Sequence, residues 1–97
     1  MEEIDNFTAG KAQAAIYFYT PACGTCALAK SYLTVLKEVP EMPEVLEQDI
    51  NYLPEAAEKW RIESVPCLIK LENGVITNKL YAFENVTKVY KFLRGDE

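Results

Sequence analysis

The stretch TPACGTCALAK, residues 20–30, decides the fold because it joins a buried strand to a long helix through two cysteines. Before it, residues 14–19 form a continuous apolar and aromatic run, typical of a strand buried on both faces of a sheet. After it, apolar residues recur at helical spacing and predict a helix over residues 25–38. Cys23 and Cys26 therefore belong to a strand-to-helix junction.

Shorter patterns on either side of this junction complete the chain. Asn73-Gly74 is a strong hairpin signal, and Asn51 is a candidate N-cap for a short helix that contains Pro54. The order is α, β, α, β, α, β, β, α, which predicts parallel crossovers, an antiparallel terminal edge and a mixed sheet between helices. The remaining elements are a helix over 4–11, strands over 45–50, 67–71 and 75–81, and a helix over 85–93.

The totals limit the class of protein. With 97 residues and 49% hydrophobic side chains, the chain suits a single domain, 1–97. A net charge of −5 argues against nucleic-acid or anionic-membrane binding, because no surface supplies a positive field. The acidic start does not read as a secretory signal, and no stretch reads as a membrane span, so we expect a cytoplasmic protein.

The position of the cysteine pair suggests redox chemistry. A helix start offers unpaired N–H groups and a partial positive charge, which stabilise a thiolate at Cys23. Cys26 lies one turn further in, where we expect the helix to use its amide and to shield its sulfur. Cys23 would then attack a substrate disulfide, and Cys26 would resolve the mixed disulfide.

Two other interpretations of the pair remain open. Both cysteines could be small buried core residues. They could also be half of a zinc or iron–sulfur site, but such sites usually need four cysteine or histidine ligands. The sequence has no histidine and only one further cysteine, Cys67, so we expect no metal and no bound cofactor.

Two segments resemble the thioredoxin family, and together with the element order the resemblance spans nearly the whole chain. They are IYFYTPACGTC, residues 16–26, and DINYLPEAAEKWRIESVPCLIKLENGV, residues 49–75. The resemblance implies an α/β, three-layer α/β/α sandwich with a mixed sheet of about four strands, one fewer than in thioredoxin. It also implies that Val65–Pro66 is cis beside Cys23, with the Val65 backbone free to bond a bound peptide.

The chain departs from the family pattern around the pair. Ala22 stands where the family has tryptophan, which alters a recognition surface. Between the cysteines, Gly24-Thr25 replaces Gly-Pro, and we expect a less reducing pair than in thioredoxin. The resemblance assigns substrate contact to Ala22, Gly24, Thr25, Val65 and Pro66.

A further departure concerns the buried aspartate that helps to deprotonate the second cysteine of thioredoxin. Tyr17 occupies its position, and Glu47 replaces a nearby lysine. One interpretation is that Glu47, hydrogen-bonded by Tyr17, relays the proton of Cys26. The other, which we favour because glutamate is rarely buried, places Glu47 on an exposed strand face.

Cys67 follows Pro66 directly and has two interpretations. It is either an auxiliary thiol near the active site or, as is commoner for a lone cysteine at the start of an apolar strand, a small core residue.

We thus expect a monomeric enzyme that reduces protein disulfides through Cys23 and Cys26 and receives electrons from a separate, thioredoxin reductase-like donor. The rivals are a dedicated partner reductant or oxidant, an isomerase-like protein, and a thioredoxin-like binding module with incidental cysteines.

Overall fold

The computed structural model describes residues 1–95, so Asp96 and Glu97, the last two residues of the expected domain, lie outside the described range. Helices and strands alternate along the described chain much as the sequence predicts. Their bounds are α1 Glu2–Thr8, β1 Gln13–Tyr19, α2 Gly24–Leu36, β2 Glu44–Asp49, a 3-10 turn Ile50–Tyr52, α3 Pro54–Lys59, β3 Cys67–Glu72, β4 Val75–Leu80 and α4 Val86–Arg94.

The strands form one mixed sheet in the order β2-β1-β3-β4. β1 runs parallel to β2 and antiparallel to β3, and β3 pairs antiparallel with β4. The predicted hairpin is confirmed, since Asn73 and Gly74 have φ values of 52° and 82°. Positive φ at both central residues gives the turn whose twist matches that of its strands.

The direction of β3 differs from the prediction of parallel crossovers. A six-residue helix such as α3 spans about 9 Å, whereas a six-residue strand such as β2 spans about 20 Å. Because α3 is too short to carry the chain back along β2, β3 starts at the end of the sheet where β1 finishes, with Cys67 opposite Phe18. This reversal brings Val65 and Pro66 to the same end of the sheet as Cys23.

The sheet lies between two helical layers, which confirms the three-layer α/β/α sandwich. Each face of the sheet buries its own apolar cluster. Between the sheet and α2 and α4 lie Ala15, Tyr17, Ala29, Leu33, Leu36, Leu68, Leu80, Phe83, Val89, Phe92 and Leu93. Between the sheet and α1 and α3 lie Ile4, Ile16, Phe18, Ala56, Trp60, Cys67, Ile69 and Leu71.

The segment between β2 and α3 corrects a smaller prediction. Asn51 does not cap α3; instead the Asp49 carboxylate accepts a hydrogen bond from the Asn51 N–H at 3.0 Å and caps the 3-10 turn. Leu53 precedes α3 without a side-chain cap, and Pro54 begins it. Proline suits this first helical position because the N–H that it lacks would have no partner within the helix. No helix within residues 1–95 has the length and apolar character needed to cross a membrane.

Candidate active site

Cys23 is the N-cap residue of α2, and three groups surround its sulfur. The Cys26 N–H donates a hydrogen bond to Cys23 Sγ at 3.2 Å. Thr25 Oγ1 lies 3.3 Å from the same sulfur, and the Val65 carbonyl oxygen lies 4.0 Å from it. The Cys23 N–H donates to the Thr20 carbonyl at 3.2 Å, which closes the turn between β1 and α2. The sulfur thus lies against the Cys26 N–H, the Thr25 hydroxyl and the backbone that precedes Pro66.

The Cys26 amide is therefore not used as we expected from the sequence. The first four N–H groups of a helix have no carbonyl partner within it, and the Cys26 N–H is the third of them in α2. In many helices a serine or aspartate oxygen accepts this bond. Here the Cys23 sulfur takes that place, so the cap of the helix and the expected nucleophile are one atom.

The pKa values of the two cysteines are shifted in opposite directions. Hydrogen bonding from the Cys26 thiol, and then from the Thr25 hydroxyl, lowers the pKa of Cys23 below the ordinary cysteine value. Burial, and then the hydrogen bond to Cys23, raises the pKa of Cys26, whose residue is 3% exposed. A thiolate is the reactive form of cysteine. The thiolate is therefore favoured at Cys23 and the protonated thiol at Cys26.

Tyr17 contacts the pair, a contact that we did not expect from the sequence. Its side chain is buried on β1, and its hydroxyl donates a hydrogen bond to the Cys26 carbonyl oxygen at 2.5 Å. The hydrogen bond from Tyr17 to Glu47 is not formed. Burial raises the pKa of Tyr17 well above its ordinary value, so the hydroxyl keeps its proton. The sequence contains one indication of this contact, a tyrosine in a strand predicted to be buried. A buried tyrosine hydroxyl usually has a hydrogen-bond partner.

Glu47 is half-buried and lines the same cavity as Cys23 and Cys26, whereas the sequence favours an exposed position for it. Its side chain is 22% exposed, and its carboxylate forms ion pairs with Lys30 Nζ at 3.4 Å and Lys37 Nζ at 3.6 Å. It lines a cavity of about 160 Å³ that Cys23 and Cys26 also line. The expected exposed strand face is therefore wrong, because Lys30 of α2 and Lys37, the C-cap residue of that helix, form ion pairs with the carboxylate and partly cover it.

Cys67 lies away from the pair. Its side chain is fully buried in the cluster beneath α1 and α3, on the face of the sheet opposite α2. Burial raises the pKa of Cys67 to about 11, so its thiol stays neutral. The structure places the Val65 carbonyl oxygen 4.0 Å from Cys23 Sγ but leaves Cys67 in the cluster beneath α1 and α3.

The expected contact residues form a rim around the Cys23 sulfur. Ala22, Gly24 and Thr25 are exposed, Val65 and Pro66 are half-buried, and the Val65–Pro66 peptide bond is cis as the resemblance implies. A side-chain carbon placed on Gly24 would meet no atom within 4 Å. The glycine is thus not required by packing within the described chain, and it leaves the approach to Cys23 open.

Among residues 1–95, no group of three or more His, Cys, Asp or Glu side chains is arranged to hold a metal ion. Both cysteines of the pair are free thiols in this structure. The site as described therefore consists of two thiols, the backbone around them and the cavity that both of them line.

Comparisons with known proteins agree with this fold. The thioredoxin family model matches residues 2–94. A thioredoxin-like protein of Bacillus subtilis (strain 168), YusE, is 41% identical over 81 residues, which cover 81% of this chain and 74% of that protein. A mutant thioredoxin from Halobacterium salinarum NRC-1 superposes with a TM-score of 0.85 at 17% identity, covering 98% of this chain and 83% of that one. Oxidised mitochondrial thioredoxin 3 from Saccharomyces cerevisiae gives 0.81 at 21% identity, covering 97% and 88%.

Proposed function

The chain belongs to the thioredoxin family, and on that premise we propose that it reduces disulfide bonds of other proteins through Cys23 and Cys26. Membership of the family makes it a thiol–disulfide oxidoreductase in general, and protein disulfides as substrates are our proposal. The observation that carries it is the Cys23 sulfur, which has a lowered pKa and an open rim around it.

The order of the two steps follows from the lowered pKa of Cys23 and the raised pKa of Cys26. The Cys23 thiolate attacks one sulfur of the substrate disulfide, a bond forms between Cys23 and that sulfur, and the other sulfur leaves as a thiolate that takes up a proton. Cys26 then loses its proton and attacks Cys23 Sγ, forming the Cys23–Cys26 disulfide and releasing the second substrate thiol. The two thiols of the protein supply both electrons.

The substrate would be a protein segment that lies across the rim. Ala22 and Gly24 leave space above the sulfur, and the Val65 backbone precedes β3 in a position to bond an extended chain. Main-chain bonding of this kind recognises peptides with little regard to sequence. Substitution of Ala22 for the tryptophan of the family narrows the contact area, so we expect a restricted set of partners.

The reaction leaves the pair oxidised, so a separate donor must reduce it. We propose a thioredoxin reductase-like enzyme as that donor and the cytoplasm as the compartment, where thiol pools keep such pairs reduced. We propose that the protein works as a monomer, because one chain supplies both cysteines and the rim.

The test is turnover of insulin disulfides with dithiothreitol as electron donor. We expect the wild-type protein to accelerate reduction and Cys23→Ser to abolish the acceleration. The rival is a thioredoxin-like binding module. It would be supported by no acceleration with any donor, together with a stable partner complex that Cys23→Ser leaves intact.

A further inference from the structure

We propose that Tyr17 is a positioning residue for the resolving step, because its hydroxyl ties the helical turn that carries Cys26 to the centre of the sheet. The inference rests on the proposed function, since it concerns the second half of the same reaction. It assigns a role to a buried tyrosine that the reaction as described above does not use.

The contacts of Tyr17 make it a rigid support. Its ring stacks on Tyr19 with centroids 5.7 Å apart and meets Phe83 edge-on at 6.0 Å. The side chain is 1% exposed, so rotation would require the core to open. From this fixed ring the hydroxyl reaches the Cys26 carbonyl, and β1 thereby sets the distance and tilt of the first turn of α2.

The resolving step depends on that placement. Cys26 Sγ must approach Cys23 Sγ closely, since a disulfide requires Cβ atoms roughly 3.5–4.5 Å apart and a narrow range of dihedral angles. In this step the Cys26 thiolate forms the S–S bond to Cys23, the bond from Cys23 to the substrate breaks, and the leaving sulfur takes the electron pair and then a proton. Small displacements of reacting atoms slow such intramolecular steps strongly.

The Tyr17 hydroxyl also lowers the pKa of Cys26, although burial and the hydrogen bond to Cys23 outweigh it. Because its one O–H donates to the Cys26 carbonyl oxygen, the hydroxyl must turn from that oxygen to donate to the ionised sulfur. Tyr17 stays protonated, so it is not the base that takes the proton of Cys26. The other titratable side chains that line the cavity are Tyr19, Cys23, Lys30 and Glu47.

Stopped-flow reaction of the reduced protein with 5,5′-dithiobis(2-nitrobenzoate) tests the role without any protein substrate. Attack by Cys23 releases one coloured thiolate in a second-order phase. Attack by Cys26 on the mixed disulfide then releases the second in a first-order phase. Failure to reduce insulin would leave this assay valid, so the proposed function and the role of Tyr17 are tested separately.

The variant is Tyr17→Phe, which keeps the ring and its contacts and removes only the hydroxyl. The free energy of one hydrogen bond corresponds to a rate factor of roughly threefold to tenfold, so we expect the first-order phase to slow by that factor. We expect the second-order phase to be unchanged, which also shows that the variant is folded. The pH midpoint of the first-order phase should rise, because the hydroxyl no longer lowers the pKa of Cys26.

Tyr32→Phe is the matched control. The Tyr32 hydroxyl also donates to a backbone carbonyl, that of Glu84 at 3.1 Å, but from a later turn of α2. We expect both phases of this variant to match the wild type. The proposal is overturned if Tyr17→Phe leaves the first-order phase and its pH midpoint unchanged, slows both phases alike, or behaves as Tyr32→Phe does.

Discussion

The Cys26 N–H donates its hydrogen bond to the Cys23 sulfur, so the proposed nucleophile caps the helix that carries the proposed resolving cysteine. When Cys23 is ionised, this bond and the contact with Thr25 become charge-assisted and stronger. The positive end of α2 acts in the same direction. The Cys26 thiol, the Thr25 hydroxyl and the backbone at the helix start therefore together lower the pKa of Cys23.

The Thr25 hydroxyl contributes a measurable part of this acidity. The rate of Cys23 alkylation follows the thiolate fraction, so it falls as pH falls through the lowered pKa of Cys23. Thr25→Ala removes a donor 3.3 Å from the sulfur and should move the midpoint of the rate–pH curve upward. Thr25→Ser keeps the hydroxyl and is the control.

Iodoacetamide labelling with peptide mapping measures the three curves. We expect the wild type and Thr25→Ser to coincide and Thr25→Ala to lie at higher pH. Coincidence of all three curves would show that the Thr25 hydroxyl does not stabilise the Cys23 thiolate.

The junction around Cys23 could be predicted from the sequence because its signals are local. A buried strand, two turn residues and a helical repeat place the pair at a helix start without reference to the rest of the chain. The hairpin at Asn73 and Gly74 is local in the same sense. These predictions depend on backbone preferences of a few neighbouring residues.

Other features depend on contacts between distant segments, and the sequence pattern does not contain them. The direction of β3 depends on its pairing with β1, a strand from the start of the chain. The short α3 and the loop that contains Pro66 place the chain beside β1 for that pairing. The surroundings of Glu47 depend on Lys30 and Lys37, which reach its carboxylate from α2 and from the C-cap of that helix. The contact of Tyr17 with Cys26 likewise joins a strand to a helix.

Glu47 is the carboxylate that shares the cavity with Cys26, and we expect it to accept the proton of that thiol through the cavity. Glu47→Gln should slow the first-order phase of the stopped-flow assay by up to about a hundredfold, the lower range for general-base catalysis. Its ion pairs involve exposed lysines, so stability should change by less than about 1 kcal/mol.

Glu44→Gln makes the same chemical change at an exposed position of the same strand. We expect this control to leave the resolving step and its pH profile as in the wild type. An unchanged pH profile in Glu47→Gln would exclude the proton relay and leave Glu47 as a partner of lysines only.

The burial of Cys67 should make stability depend on pH in the alkaline range. Its folded-state pKa is raised to about 11, whereas an unfolded cysteine titrates near about 8.5. Below the unfolded value both states hold the proton. As pH rises from about 8.5 to 11, Cys67 ionises in the unfolded state but not in the folded state. The free energy of unfolding therefore falls by up to roughly 3 kcal/mol.

Cys67→Ala removes this contribution and leaves the other titrations in place. We expect the difference in unfolding free energy between wild type and variant to shrink across that pH window, and native Cys67 to resist alkylation. A difference that does not vary with pH, or rapid labelling of Cys67, would show that the thiol is accessible to solvent.

The equilibrium potential of the Cys23–Cys26 pair tests the central claim most directly, and glutathione buffers with quantification of the alkylated dithiol measure it. Each 30 mV is about a tenfold change in the equilibrium constant of this two-electron couple. We expect a value less negative than the roughly −270 mV of thioredoxin but still on the reducing side of about −180 mV. A value near −120 mV would contradict the account by making the protein an oxidant, and failure of Cys23 and Cys26 to form a disulfide would remove its basis.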